Sequence, residues 1–177
     1  MRNIQRAWAF AAAFALLGST GGAAAAQSNA PAIDAAWLSA DSAAKTATFT
    51  LTAGLTPANS GLNFNGFKNG ELMLTVPKNW TLVIRFVNND PNLPHSATVI
   101  PDTKSPPLGA VPPAFRRAFT KNLDAGFLRG GHDEFSFVAN KAGSYLIFCA
   151  VPGHGAAGMW IQLRVSDAVR QASLAAS

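Results

Sequence analysis

The stretch Cys149-Ala-Val-Pro-Gly-His154-Gly-Ala-Ala-Gly-Met159 lies between two runs typical of β-strands, residues 144–149 and 160–165. The first strand delivers Cys149 at its end, and the Pro-Gly turn brings His154 back beside it. A second turn, residues 155–158, returns Met159 to the same point. One loop of eleven residues therefore presents three metal-binding side chains at one end of a β-type fold.

Alternation of apolar residues extends the β pattern over most of the chain. Leu82, Ile84 and Phe86 recur at every second position, as expected of a half-buried strand. Asn69-Gly70 predicts a tight hairpin turn, because both residues tolerate a positive φ. The fold class predicted is all-β, a Greek-key barrel or sandwich of about seven to eight strands. The predicted strands are 45–52, 62–67, 71–76, 80–88, 95–100, 134–138, 144–149 and 160–165.

One long region, residues 101–131, interrupts this pattern. Its many prolines and glycines argue against a strand, and residues 114–123 within it predict a short helix. A connection this long in a compact domain is usually functional or a covering element. We expect a flap over one side of the β domain.

The two ends of the chain differ from its centre. Arg2 and Arg6, an apolar run and the small residues Ala24 to Ala26 predict a signal peptide over residues 1–26. We therefore expect an exported, periplasmic protein, with membrane association only if that segment is retained, because its apolar run is short for a bilayer. The predicted divisions are the signal peptide 1–26, an N-terminal extension 27–44, the β domain 45–166 and a helical or frayed tail 167–177.

Composition narrows the possible functions. The chain has 14 Lys and Arg against 9 Asp and Glu, and its charges are scattered, which argues against nucleic-acid binding. A single cysteine excludes an internal disulfide, so Cys149 is a metal ligand, a buried thiol or a partner for another chain. We expect a monomer.

The donor types indicate one copper ion that cycles between Cu(I) and Cu(II). Thiolate and thioether suit Cu(I), and imidazole suits both states. Structural zinc sites use several Cys or four Cys and His, and methionine is a poor zinc ligand. The loop supplies one histidine, so a second comes from His95 or His132. His95 follows a loop and begins a strand, whereas His132 precedes an acidic pair and is more simply a solvated turn residue.

The Cys-x4-His-x4-Met spacing with Pro-Gly before the histidine resembles the small cupredoxins, closest to the sulfocyanin and rusticyanin branch. The similarity covers about residues 60–165, including Asn63-Phe-Asn-Gly66, Pro94-His95-Ser96 and Gly158-Met159-Trp160. It implies a Greek-key domain with one type 1 copper. It also implies transient single-electron exchange with redox proteins of the cytochrome or terminal oxidase type. The ligands that it implies are His95, Cys149 and His154 in the equatorial plane and Met159 on the axis.

Two details follow for the environment of the metal. We expect backbone N–H groups of Ser96 and Val151 to donate to the Cys149 sulfur. A dry apolar shell would raise the reduction potential. Its predicted members are Phe64, Ile147, Phe148 and Trp160.

His154 is the expected exit for the electron. Small and apolar residues around it predict a flat docking surface, although they also suit a tight turn. Weak redox encounters bury under about 1,200 Å². The predicted surface comprises Pro94, Pro152, Gly153, Gly155, Ala156 and Ala157.

Two other functions remain open on the sequence. A copper enzyme, or an accessory domain of a copper oxidoreductase, needs further histidines, and only His132 is left over, so we do not expect catalysis by this chain alone. A copper chaperone or storage protein usually carries Met- or His-rich segments, whereas this chain has three Met and three His in all.

Overall fold

The computed structural model describes residues 31–177, so the predicted signal peptide 1–26 lies outside the described residues. Within this part the chain forms nine strands in two sheets, and the predicted all-β class is confirmed. The two sheets form a sandwich and not a closed barrel. The strands are β1 (Leu38–Asp41), β2 (Thr46–Ala53), β3 (Leu72–Pro77), β4 (Thr81–Asn88), β5 (Thr98–Pro101), β6 (His132–Val138), β7 (Gly143–Phe148), β8 (Trp160–Ser166) and β9 (Ser173–Ala176).

Pairing across distant parts of the sequence builds both sheets. The first has the order β1-β2-β4-β6, and the second has the order β5-β7-β8-β3-β9. The β2–β4 and β3–β8 pairs are parallel, and the other pairs are antiparallel. The β5–β7 pair, with Thr98 opposite Phe148, brings the segment before β5 close to the end of β7, although the two are about 50 residues apart in sequence.

Strict alternation explains how these strands bury a common core. Along β2 and β4 every second side chain is buried, as the period of two predicted. Most buried residues of both sheets belong to one hydrophobic core, which contains Leu51, Ile84, Leu163 and Cys149. A second, smaller cluster consists of Ile100, Leu146, Phe148 and Ala150. The end of the core nearest Cys149 is therefore as dry as its centre.

Several predicted elements are wrong. Residues 62–67 form no strand, because their groups pair only as isolated bridges between Ala53, Phe64 and Phe67. His95 also precedes its strand, since β5 begins at Thr98. The region before residue 45 is more than an extension, because β1 lies in it and pairs with β2. The tail is neither helical nor frayed, because β9 pairs with β3.

The short helix predicted at residues 114–123 is absent from the described chain. Its backbone groups pair with β5 instead: Val99 N donates to Ala118 O at 2.9 Å, and Ala114 N donates to Val99 O at 2.8 Å. Phe115 also packs on Phe137 and Tyr145, with ring centroids 4.9 and 4.7 Å apart. This part of the 101–131 region therefore covers the sandwich, as expected of a flap, without forming regular structure.

No helix in residues 31–177 is both long and apolar enough to cross a membrane.

Candidate metal centre

The loop from Cys149 to Met159, here called the Cys loop, joins the end of β7 to the start of β8. Three backbone bonds fold it back on itself. Cys149 N donates to Met159 O at 3.0 Å, Met159 N to His154 O at 3.0 Å, and His154 N to Val151 O at 3.1 Å. The backbone of Met159 is thus bonded to both of the other predicted ligands of the loop.

Two glycines make this compact path accessible. Gly158 has a φ of +97°, a conformation that disfavours any side chain. Gly155 is buried, and a methyl group at that position would overlap the Phe148 ring and lie 3.0 Å from Cys149 O. The loop therefore depends on hydrogen atoms at both positions.

Neighbouring turns hold the Cys loop from outside. Asn69 N donates to Gly158 O at 2.8 Å, and Gly70 N donates to Trp160 O at 3.0 Å. Asn69 and Gly70 have the predicted positive φ values, 48° and 77°, but their turn does not join two strands as a hairpin would. The Asn59 side chain adds a bond from Nδ2 to Ala157 O at 2.9 Å.

His95 reaches the same place from a different part of the chain. It lies on the loop between β4 and β5, and its backbone pairs with Phe127 through two bonds, at 3.0 and 2.7 Å. Gly126 permits this approach, because a side chain there would lie 2.8 Å from His95 N. The His95 side chain is fully buried.

His95, Cys149 and His154 bring their donor atoms within 4.8 Å of one another. The Nδ1 atoms of the two histidines are 3.2 Å apart, and they lie 3.9 and 3.6 Å from the Cys149 sulfur. Two ring nitrogens and one sulfur that converge in this way form the His₂Cys donor set preferred by copper. The donor chemistry of the chain therefore fits a type 1 copper ion.

The remaining two candidates lie in different surroundings. Met159 is fully buried in the same hydrophobic core as Cys149. His132 lies at the exposed start of β6, with Nδ1 3.4 Å from Gly130 O, and it is not in the group formed by the three donors. The structure therefore brings together Cys149, His154 and His95, and it leaves His132 on the surface.

The Cys149 sulfur lies in a dry pocket with few hydrogen-bond donors. Burial raises the pKa of its thiol to about 11, although N–H groups of Ser96 and Val151 act in the opposite direction. Ser96 N lies 3.4 Å from the sulfur, in line with the donors predicted from the sequence. Ser96 is fixed in turn, because its hydroxyl donates to Leu123 O at 2.7 Å and accepts from Ala150 N at 3.2 Å.

Burial also lowers the pKa of both histidines that face the sulfur. For His95 the carboxylate of Asp90 partly offsets this effect, and for His154 the proximity of His95 lowers the pKa further. Both rings are therefore neutral at pH 7, which is the form that binds a metal.

The surroundings of the cluster divide into a closed and an open side. Phe64, Ile147 and Phe148 are fully buried, and Trp160 is partly exposed. His154 is also partly exposed. Around it Pro152, Ala156 and Ala157 are exposed, and Pro94 and Gly153 are half-buried. Gly155 was wrongly expected on this surface, because it packs beneath it against Phe148.

Sequence reasoning missed two neighbours of the cluster. Leu108, 74% exposed, lies beside the loop, because its carbonyl accepts from Gly153 N at 2.7 Å. Asp90 is 4% exposed, and its Oδ2 lies 3.3 Å from His95 Nε2. The available signal for Asp90 was an acidic residue five positions before His95, with no basic residue between them.

Comparisons with known proteins identify relatives of this chain. Residues 34–173 match the family model described as the Sulfocyanin (SoxE) domain. Sulfocyanin of Sulfolobus acidocaldarius is 32% identical over 114 residues, which are 60% of this chain and 57% of the relative. The chain thus matches little more than half the length of that curated relative.

Solved structures add the fold. Auracyanin B shares 24% identity with a TM-score of 0.50, over 68% of this chain and 88% of the other. Rusticyanin from Thiobacillus ferrooxidans shares 24% identity with a TM-score of 0.45, over 69% and 82%. The first of these supports a cupredoxin-like sandwich. Because the family model spans 140 of the 177 residues (34 to 173), the chain belongs to the sulfocyanin family of cupredoxins.

Proposed function

We propose that this chain binds one copper ion through His95, Cys149, His154 and Met159 and carries single electrons between redox proteins outside the cytoplasm. The observation that carries the proposal is the convergence of two imidazole Nδ1 atoms and one sulfur within 4.8 Å. When bound, copper would supply a one-electron couple between Cu(I) and Cu(II). The auracyanin A structure, which also resembles this chain, is described as a "blue" copper protein.

The chain's own residues limit what the site can do. His95 and Cys149 are fully buried, so a substrate cannot reach either side chain from solvent. Because bonded turns fix the Cys loop on both sides, the donors need to move little when the charge on the metal changes. Low reorganisation on electron transfer and exclusion of substrate both favour an electron carrier over an oxidase.

Copper loading tests this proposal. We expect an intense visible absorption band from thiolate-to-copper charge transfer, which ascorbate bleaches and which Cys149→Ser abolishes. His95→Ala should also lose the band, whereas the matched control His132→Ala should keep it, since His132 lies outside the cluster. A colourless copper complex, or loss of the band only in His132→Ala, would reject the assignment.

The alternative of a copper chaperone or storage protein predicts a different result. Such a protein should release Cu(I) to a competing chelator at a rate useful for delivery, and it need not show reversible one-electron cycling. The buried positions of His95 and Met159 instead favour retention of the ion in both states. Repeated oxidation and reduction without loss of copper supports the carrier, and loss of copper on reduction supports the chaperone.

The open side around His154 is the proposed docking surface. Its exposed members are small or apolar, and Leu108 extends it from the 101–131 region. A small uncharged surface suits contacts that form and separate quickly, since redox encounters bury little area. We also propose that the partners are redox proteins of the cytochrome or terminal oxidase type, and that residues 1–26 direct export of the chain.

Electron self-exchange between two copies tests this surface without knowledge of the natural partner. Leu108→Asp places like charges opposite each other when two such faces meet, and we expect about a fivefold slower exchange, the effect of about 1 kcal/mol. The matched control is Val138→Asp. Val138 is 50% exposed. It pairs with Thr81 at the start of β4, whereas the segment that leads to His95 follows Asn88 at the other end of that strand. Equal rates in the two variants would place docking elsewhere.

A further inference from the structure

The Asp90 carboxylate is a buried acid that forms part of the surroundings of His95. Its Oδ1 accepts from Asn92 N at 2.8 Å and from Leu93 N at 2.9 Å. Its Oδ2 lies 3.3 Å from His95 Nε2. Among residues 31–177, His95 is the one basic partner of this carboxylate. Both oxygens are therefore engaged, and one of them faces a proposed ligand.

Neighbouring backbone packs closely against this residue. A side chain on Gly54 would come within 2.6 Å of Asp90 Cβ, and one on Gly61 would overlap Oδ2. Asn88 Oδ1 accepts from Asp90 N at 2.8 Å, and this bond fixes the backbone. These contacts hold the carboxylate beside the imidazole.

The position of the carboxylate determines which nitrogen of His95 carries its proton. Oδ1 of Asp90 already accepts from two backbone N–H groups, an arrangement that favours the ionised carboxylate, so Oδ2 also faces His95 as an acceptor. An anion accepts hydrogen bonds only. The facing Nε2 must therefore carry the proton, which leaves the lone pair of Nδ1 directed at Cys149 and His154.

We infer that Asp90 is a positioning residue of the metal centre, which holds His95 in the tautomer with a free Nδ1 and biases the centre toward Cu(II) through its buried negative charge. The inference rests on the copper site proposed above. A nearby anion stabilises the more positive oxidation state. Asp90 therefore lowers the reduction potential, in opposition to the apolar shell predicted from the sequence.

Asparagine cannot replace this carboxylate. Its single oxygen would be needed by the N–H groups of Asn92 and Leu93, so its NH₂ group would face His95 Nε2. Two donors would then oppose each other. His95 would have to change tautomer, which places a proton on Nδ1, or lose its second hydrogen bond.

The experiment compares Asp90→Asn with the matched control Asp133→Asn. The side chain of Asp133 is 6% exposed, and it accepts from Lys121 N and Glu134 N and pairs with Lys121 Nζ at 3.4 Å. It thus has the same charge, a similar burial and the same number of backbone donors, but none of its partners is a proposed ligand. The first readout is the ¹⁵N spectrum of the histidine rings in the metal-free protein, and the second is the reduction potential of the copper-loaded protein.

For the unchanged protein we expect a His95 ring protonated at Nε2. Asp90→Asn should alter that ring's spectrum and raise the potential, with Cu(II) affinity falling about tenfold more than Cu(I) affinity, equivalent to about 59 mV for one electron. Asp133→Asn should change neither. A potential that shifts equally in both variants, or an unchanged ring spectrum in Asp90→Asn, would overturn the inference.

The unchanged protein keeps the inference testable if Asp90→Asn does not fold. A His95 ring protonated at Nδ1 in the metal-free protein would overturn it without any variant. Failure of the copper proposal is seen separately, as absence of the visible band from the unchanged protein, and it would leave the tautomer result standing.

Discussion

The Cys loop and the segment Asn88–His95, here called the His95 segment, carry donor atoms to one point by different means. The Cys loop places its donors within eleven consecutive residues, and hydrogen bonds within its own backbone fold it. The His95 segment supplies one donor, and side chains fix it: Asn88 and Asp90 bond its backbone and its imidazole. The Cys loop is thus held mainly by its own backbone hydrogen bonds, and the His95 segment by buried side-chain hydrogen bonds. Single side-chain substitutions should therefore lower the free energy of unfolding more in the His95 segment than in the Cys loop.

The largest effect is expected from Asn88→Ala. Asn88 is 1% exposed, its Nδ2 donates to Leu93 O and Phe127 O, and its Oδ1 accepts from Asp90 N. The substitution removes three hydrogen bonds, at about 1 kcal/mol each, and leaves Asp90 N and Leu93 O without a partner, whereas Phe127 O keeps its bond from His95 N. We expect the free energy of unfolding of the metal-free protein to fall by about 3 kcal/mol, measured by urea unfolding.

The matched variant for the Cys loop is Asn59→Gly, which removes the hydrogen bond from Asn59 Nδ2 to Ala157 O. Glycine keeps the backbone, because Asn59 has a φ of 52°. The groups that it bonds lie near water, so we expect a loss below about 1 kcal/mol. Equal losses for Asn88→Ala and Asn59→Gly would contradict the difference drawn between the two regions.

A second effect concerns Cys149, where the two regions meet, because its sulfur lies 3.9 Å from His95 Nδ1. With a thiol pKa of about 11, the reactive thiolate is scarce at pH 8. We expect the metal-free folded protein to react with a thiol reagent roughly 100-fold more slowly than the same protein unfolded in guanidinium. Equal rates would show that the pocket opens to solvent, and the Cys loop would then not be rigid.

A third effect tests the packing of the Cys loop. Gly155→Ala places a methyl group against the Phe148 ring, and overpacking of this kind costs about 2 kcal/mol. The matched control is Gly109→Ala, because nothing lies within 4 Å of a side chain there and its φ is ordinary. Thermal unfolding of both variants checks this. A loop that accepts the methyl group without loss would be softer than its hydrogen bonds suggest.

The smallest effect expected is acid destabilisation of the metal-free protein. Burial lowers the pKa of His95 and His154 below the ordinary 6.5 in the folded state. The unfolded chain then binds more protons between the lowered values and pH 6.5, so stability is full above that window and falls as the pH drops through it. Urea midpoints at pH 7.5 and 5.5 measure this change. A midpoint that rises on acidification would be inconsistent with neutral, buried rings.

The sequence could predict those parts of the fold in which spacing decides the outcome. The alternation in β4 and the Cys-x4-His-x4-Met spacing are local patterns. The structure reproduces the alternation in β4, and it brings Cys149 and His154 together as the spacing predicted. The helix expected at residues 114–123 failed because backbone bonds to β5 replaced local ones. That competition depends on a strand distant in sequence and is not visible in the composition of the segment.

Asp90 illustrates the same limit within the site. A lone acidic residue in an Asn- and Pro-rich loop is normally a turn former in water. Its contact with His95 depends on Gly54 and Gly61, which come from another part of the chain and leave space for the carboxylate. The burial of Asp90 is therefore visible only when the positions of Gly54 and Gly61 in the folded structure are known.

The pairing of β9 with β3 has a consequence for association between molecules. β9 covers the backbone of Leu72 to Thr75, and Ser177 N bonds to Glu71 O at 2.9 Å. Without residues 173–177, the apolar strand β3 would present a row of free N–H and C=O groups along its open edge. Such an edge is a template for a strand from a second molecule. Residues 173–176 therefore cover the apolar strand β3, and the open edge of this sheet in the described chain is the short, mostly exposed strand β9.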